Sequence, residues 1–271
     1  MSDTAGDETR TYAIAGVPFA VSAGTAVLDR VDSTYGAFRA TLPGDGDVFA
    51  ISLSDGEPLH ALFNRITEGV VERLAARGIY PIHAAALEHE GSALIISGRS
   101  HSGKTTLALS LLGHGFRLLS DELAISAADG RTILPYRRAL HVRPGTPELI
   151  GELRFLTQEP RLGLGGDIEW SFLPDELESI FPGCLGAAAP LRHVVILGAR
   201  AGGTGEAKLE PLPATAAAIE LVRATPAAAN DFAAALARTA LLVDGARCVR
   251  LHSGTLDKSR TLILDWLAED G

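Results

Sequence analysis

Cysteine is scarce: Cys184 and Cys248 are the only two in 271 residues. They lie far apart and show no metal-ligand or redox spacing, which excludes a zinc ribbon, a dithiol redox motif and a disulfide scaffold. Methionine occurs once and lysine is nearly absent. With the high Ala and Gly content this reflects a GC-rich coding sequence and carries no functional meaning. No segment reaches the roughly 18 uninterrupted apolar residues that a membrane span requires, so no membrane partner is expected. Positive charge is also short. A net charge of −9 argues against a nucleic-acid partner, which would need a basic footprint. The residues Met1-Ser2-Asp3-Thr4-Ala5-Gly6-Asp7-Glu8 are polar and acidic, the opposite of a signal peptide. A reducing cytoplasm is the expected location.

What is present is a hydrophobic fraction of 46% and a charged fraction of 21%, the balance of a folded chain with a sizeable core. The first 10 residues read as a disordered tail. From Thr11 to about Leu53, apolar runs alternate with turn residues, with Pro43-Gly44-Asp45-Gly46 as a turn, which predicts a small β-rich region. Leu59, Leu62, Phe63, Ile66, Val70, Val71 and Leu74 fall at helical spacing and Gly78 ends them. Residues 11–78 are therefore expected to form a β-rich N-terminal subdomain with a connecting helix, and 79–271 a second, larger domain.

The strongest pattern lies in the middle of the chain. Ala84–Glu88 and Ala93–Ser97 read as strands joined by a tight turn at Glu90-Gly91, and a helix is expected from Lys104 to Gly113. Phe116–Ser120, Leu123–Ser126 and Arg131–Leu134 read as further strands. Residues 157–176 look like a long excursion and Ala201–Glu206 like a surface loop. Leu191–Leu197 and Cys248–Leu251 are expected strands; Ala214–Ala224, Asn230–Leu242 and Thr255–Ala268 are expected helices.

Between the second strand and its helix stands Gly98-Arg99-Ser100-His101-Ser102-Gly103-Lys104-Thr105, which fits G-x-x-x-x-G-K-[ST] at every specified position. Each position has a physical task. The glycines let successive N–H groups turn inward as a nest for phosphate oxygens, and the helix points its positive end at the same anion. Lys104 supplies charge toward the β- and γ-phosphates, and Thr105 offers a hydroxyl to Mg²⁺. Gly98 to Thr106 are the expected binding residues for ATP with Mg²⁺. His101 occupies a variable, solvent-facing position.

Asp121-Glu122 follows sixteen residues after Thr105, directly behind an apolar strand. A carboxylate there can hold Mg²⁺, with Thr105, or take a proton from an attacking hydroxyl; a solvated turn is the plainer reading. His83 precedes the hairpin. Arg137, Arg138 and Arg143 form a basic cluster that either neutralises a transferring phosphate or lies along a charged edge.

The stretch from Tyr80 to Gly145 resembles the HPr kinase/phosphorylase-related proteins, whose nucleotide fold is shared with phosphoenolpyruvate carboxykinase. The resemblance rests on His83-Ala84-Ala85, the loop Gly98–Thr105, and Gly115-Phe116-Arg117-Leu118-Leu119-Ser120-Asp121-Glu122. It covers about a quarter of the chain convincingly. HPr kinases carry Asp-Asp where this chain has Asp121-Glu122, and a glycine-rich signature where Leu134-Pro135-Tyr136-Arg137-Arg138 stands here. The Asp-Glu pair, the size and the N-terminal β region are most similar to smaller relatives that tailor ribosomal peptides. The resemblance implies an α/β fold with a carboxykinase-like P-loop core and mixed sheet. It implies catalytic roles for His83 and Asp121, with Glu122 assisting at the metal, and an oligomeric assembly.

Together these readings give an ATP-dependent kinase passing the γ-phosphoryl group to a hydroxyl, with a serine of a peptide or protein as the expected partner. Lys104 and the loop amides hold the phosphates, Asp121 accepts the proton, and Arg137 or Arg138 steadies the equatorial oxygens. A small-molecule acceptor, or a regulatory module that binds nucleotide without transfer, stays open. No Leu-Ser-Gly-Gly signature of an ABC-type ATPase lies between loop and acids.

Overall fold

The structure, a computed structural model, describes residues 8–42, 48–53, 58–154, 161–162, 168–198 and 205–269. It is mixed α/β, with three sheets.

The N-terminal elements start with β1 (Glu8–Ile14) and β2 (Val17–Ala23). Ala15 and Gly16, at φ of 47° and 77°, turn this hairpin, the geometry that matches the twist of paired strands. α1 (Thr25–Tyr35) follows, then β3 (Phe49–Ser52), which runs parallel to β2, and α2 (Leu59–Ala76). α2 buries Leu62, Phe63, Ile66, Val70, Val71 and Leu74. It ends in a Schellman arrangement: Gly78, at φ 73°, and Ile79 donate back to Ala75 and Leu74.

Two expectations change here. The tail was expected to reach residue 10, yet Glu8, Thr9 and Arg10 belong to β1, where Arg10 pairs with Asp29 at 2.9 Å and Asp32 at 2.6 Å. Residues 1–7 lie outside the described residues, as does the Pro43–Gly46 turn. The region is also less β-rich than its apolar runs suggested, because Leu28, Val31 and Tyr35 form the buried stripe of α1. Its apolar core includes Leu123, Ile125, Tyr136 and Ala227 from later in the chain.

The main sheet begins with β4 (Ile82–His89) and β5 (Ser92–Ser97), joined by Glu90-Gly91 at positive φ. α3 (Lys104–Leu112), β6 (Arg117–Ser120), β7 (Leu123–Ser126) and β8 (Thr132–Leu134) follow. Next come β9 (Leu140–Val142), α4 (Thr146–Leu149), β10 (Arg161–Leu162), β11 (Ile168–Phe172) and α5 (Pro174–Ile180). The chain closes through β12 (Ala189–Leu197), β13 (Lys208–Pro211), α6 (Ala214–Arg223), α7 (Phe232–Val243), β14 (Arg247–His252) and α8 (Leu256–Ala268).

The eight-stranded sheet runs β13-β14-β12-β5-β4-β7-β8, with β6 also on β4. Parallel pairs (β5 with β12, β12 with β14) mix with antiparallel ones. β5 and β12 are apolar on both sides because helices cover both faces. One face packs on α3 and α8 through Leu94, Ile96, Leu107, Leu111 and Trp266, the other on α6 and α7 through Ile95, Val194, Leu221 and Val243. Each such side chain contributes roughly 1.5–3 kcal/mol on leaving water.

A smaller sheet, β10-β11-β9, occupies part of the expected excursion at 157–176. Trp170 and Phe172 alternate with Glu169 and Ser171, so one face meets the core and the other stays polar. Residues 201–204 of the expected surface loop lie outside the described residues.

Candidate functional site

β5 delivers the chain to Gly98 beside β12. A Cβ there would stand 2.8 Å from Leu197 Cβ and 2.9 Å from Ser102 Oγ, so only glycine fits. The loop then turns through two left-handed residues, His101 at φ 63° and Gly103 at φ 94°, before α3 starts at Lys104. The first turn of a helix leaves its N–H groups without intrahelical partners, here at the end of the loop. Lys104 folds back, donating from Nζ to the carbonyls of Gly98 at 3.1 Å and Arg99 at 3.3 Å. Burial holds its ammonium pKa below the usual lysine value, against the attraction of Asp121 and Glu122.

The acid pair comes to the loop through a strand that changes partners. β4 pairs with β6 from Ala86 to Glu88, and with β7 at Ile82 and His83. A bulge between Leu118 and Ser120 resets the phase, and Ala84 N donates to the Glu122 carbonyl at 3.2 Å. Ser120 Oγ accepts from the amides of Glu122 at 3.2 Å and Leu123 at 3.0 Å, fixing the bend.

Thr105 Oγ1 donates to Asp121 Oδ2 at 3.1 Å, while Asp121 Oδ1 is buried without a hydrogen-bond partner. Burial, with Glu122 adjacent, pushes the Asp121 carboxyl up to about 7, against the pull of Thr105, Arg138 and Lys104. Burial lowers the His83 pKa, with Lys104 and Arg138 assisting and Glu122 opposing.

These groups line one open cleft of about 420 Å³, together with Ser100, His101, Ser102, Gly103 and Thr106. Gly98 and Arg99 do not line it; they take part through their carbonyls.

The arginines separate. Arg138 reaches the cleft, with its side chain 14% exposed and Nη1 3.7 Å from Glu122 Oε2. Burial opposes its charge, but Glu122, Tyr35, Tyr136 and Asp121 outweigh that and hold its pKa above the usual value. Arg137 was expected as an alternative phosphate contact. Its Nη2 instead donates to the Gly186 carbonyl at 2.9 Å, and it lines a small hollow near Phe172 and Leu177 that Arg138 also borders. Arg138 lines the cleft and Arg137 does not. Arg143 does reach the cleft, where its guanidinium bonds the His101 ring.

Sequence reasoning did not single out His141, Thr146 or Glu169, which complete the lining. Thr146 Oγ1 lies 3.0 Å from Thr106 Oγ1, tying α4 to α3. His141 Nδ1 stands 2.8 Å from Glu169 Oε1. Alternation in Ile168-Glu169-Trp170-Ser171-Phe172 was the available signal for that strand and for the polar face holding Glu169.

No protein-family model matches the chain, and no curated protein matches it. Among solved structures, the Hpr(Ser) kinase/phosphatase from Coxiella burnetii is similar over 70% of this chain and 99% of its own, at 11% identity and a TM-score of 0.34. That likeness is too loose to support an assignment. No helix among the described residues is long and apolar enough to cross a membrane.

Proposed function

We propose that the chain is an ATP-dependent kinase that transfers the γ-phosphoryl group to a hydroxyl, with a serine of a peptide or protein as acceptor. The observation carrying this reading is the Thr105–Asp121 hydrogen bond of 3.1 Å. It brings a carboxylate with one buried, unpartnered oxygen to the hydroxyl that ends a G-x-x-x-x-G-K-T loop, where an acid can hold Mg²⁺ on the phosphates or take the proton of an attacking hydroxyl. The sequence resemblance to HPr-kinase-like proteins supports the same reading, with a carboxykinase-like core as the corresponding fold.

The loop amides, Lys104 and the start of α3 bind the phosphate chain. Thr105, Asp121 and Glu122 are hard oxygen donors suited to Mg²⁺, and the unpartnered, buried Asp121 Oδ1 fits a cation or proton near it. Among the described residues no group of three His, Cys, Asp or Glu forms a metal cage; Mg²⁺ characteristically uses one or two carboxylates plus substrate phosphates. When bound, Mg²⁺ neutralises charge on the β- and γ-phosphates.

In the transfer, a bond forms between the acceptor oxygen and the γ-phosphorus as the bond from that phosphorus to the β,γ-bridging oxygen breaks. ADP leaves with the electron pair, and the acceptor proton passes to Asp121. A carboxylate titrating near 7 suits that task at neutral pH. Arg138 steadies the equatorial oxygens, and His83, kept neutral by burial, offers a hydrogen bond at the same place. Positioning and charge neutralisation do most of the work.

The test is labelled ATP with Mg²⁺ and serine-containing peptides, read by mass spectrometry for one added phosphate. ATP binding with no peptide ever labelled would reduce the chain to a nucleotide-binding module.

A further inference from the structure

His141 and Glu169 belong to the cleft but take no part in the reading above. They come from the small sheet. Ser171 stands opposite His141 in the β9–β11 register, which makes Glu169 the diagonal neighbour on the same face, within reach of a long side chain. Leu140, Val142 and Phe172 point the other way, into the core. The small sheet therefore has one apolar face that anchors it and one polar face turned to the cleft.

That face is unusual in its burial. The His141 and Glu169 side chains are 15% and 12% exposed, and they meet at 2.8 Å. Neither His141 nitrogen has a hydrogen-bond partner of good geometry. An apolar pair would stabilise the same sheet at least as well, since burying paired charges offsets most of their attraction. The Glu169 carboxyl is nonetheless held below the usual range: burial pushes it up, and the His141 contact with the charges of Arg138 and Arg143 outweighs that.

Their placement along the chain fixes what they face. Arg143, just past β9, sits on His101 at the outer end of the phosphate loop. Arg138, just before β9, sits on Glu122 at the acid pair. His141 lies between, about 7 Å along the strand from Arg143 at strand rise. The His141–Glu169 pair thus stands in the wall between the loop and the acids. An acceptor hydroxyl must come to the γ-phosphorus from the side opposite the leaving oxygen, and His141 and Glu169 line the cleft beyond the residues of the loop.

We propose that His141 and Glu169 form the acceptor subsite: an ionised carboxylate braced by imidazole, which takes N–H donors of a serine-bearing peptide and favours a neutral or basic segment over an acidic one. This deepens the kinase reading and rests on it.

The experiment uses the full chain, labelled ATP with Mg²⁺, and two peptide pools with a fixed central serine, one flanked by Lys and Arg, the other by Asp and Glu. Wild type is expected to label the basic pool about tenfold faster, the worth of one charge-assisted contact. Glu169→Gln and, independently, His141→Gln should lower labelling of the basic pool by about tenfold and Glu169→Gln should erase the preference between pools. ADP affinity should stay within about twofold. A melting transition like that of wild type shows that each variant is folded, and either one suffices. Unchanged labelling and preference in both variants would overturn the subsite while leaving the kinase reading intact. An equal loss of ADP affinity would also overturn it, assigning the pair to the nucleotide half. If wild type binds ATP but labels neither pool, the kinase reading fails, and the subsite with it.

Discussion

Thr105 Oγ1 and Asp121 Oδ2 are joined by a hydrogen bond of 3.1 Å across sixteen residues of sequence. The contact couples the loop to the acid pair, so the two halves of the site can be separated by substitution. Asp121→Asn keeps the shape and the Thr105 contact but removes the proton acceptor. Nucleotide affinity should hold within a few-fold while transfer falls by about 10²–10⁴. Wild-type turnover in Asp121→Asn would remove that residue from the chemistry.

The same carboxyl sets a pH dependence. Its pKa of about 7 lies above its ordinary 3.8, so between those values the folded state keeps a proton that the unfolded chain gives up. The Asp121 contribution to stability is present below about pH 4 and is lost as pH rises through 7. The nucleotide-free protein should melt at lower temperature at pH 8 than at pH 5.5 by a margin that Asp121→Asn shrinks. Mg²⁺ binding should release a proton near pH 7, measurable by calorimetry in buffers of different ionisation enthalpy.

Lys104 sits buried against the loop carbonyls, within the field of Asp121 and Glu122. Lys104→Ala should weaken ATP binding at least tenfold and abolish transfer, since a charge-assisted phosphate contact disappears. Thermal stability should change little or rise, because burial of the ammonium opposes its charge. A variant that binds ATP as tightly as wild type would contradict the phosphate role of the loop.

The two adjacent arginines should behave differently. Arg138→Ala should collapse the preference for ATP over ADP and slow transfer by about 10²-fold or more. It also removes a partly exposed ion pair with Glu122 and the packing of a side chain that is 14% exposed, so a modest drop in melting temperature should accompany it. Arg137→Ala loses only the bond to the Gly186 carbonyl and should leave nucleotide discrimination and transfer near wild type. Equal effects on discrimination from both variants would show that the cleft assignment is wrong.

The loop offers a contrast in strain. Gly98→Ala would press a Cβ against Leu197 and Ser102 Oγ and should cost about 1–3 kcal/mol by denaturant unfolding. His101→Gly relieves a side chain at φ 63° but loses the Arg143 contact, and it should change stability by less than about 1 kcal/mol.

Legibility in the sequence followed the strength of local signals. The loop and its strand–helix setting could be read because each position has a backbone or charge requirement. α2 could be read because its apolar spacing runs over 18 residues. α1 was missed although Leu28, Val31 and Tyr35 mark a helical stripe, since intervening Thr, Ser and Asp residues favour turns. Arg137 was set level with Arg138 because composition is blind to the tertiary partners, the Gly186 carbonyl and Glu122, that tell them apart. Glu169 lay in the stretch 157–176 read as an excursion and His141 in a stretch given no element, and only pairing between β9 and β11 brings them together. Tertiary contacts of that kind leave no trace at fixed spacing.

β4 remains the element on which this geometry hangs. Its first residues hold β7 and its later ones hold β6, so His83 and the acid pair are spaced by main-chain bonds within one buried sheet. Such bonds open only with the cooperative unit they belong to. The amides of Ala84 and Leu123 should therefore be among the slowest in the molecule to exchange with solvent deuterium, while those of the loop exchange quickly until a phosphate covers them. The site would then pair a rigid ruler with a mobile cradle, and ligand binding would register as protection gained on one side alone.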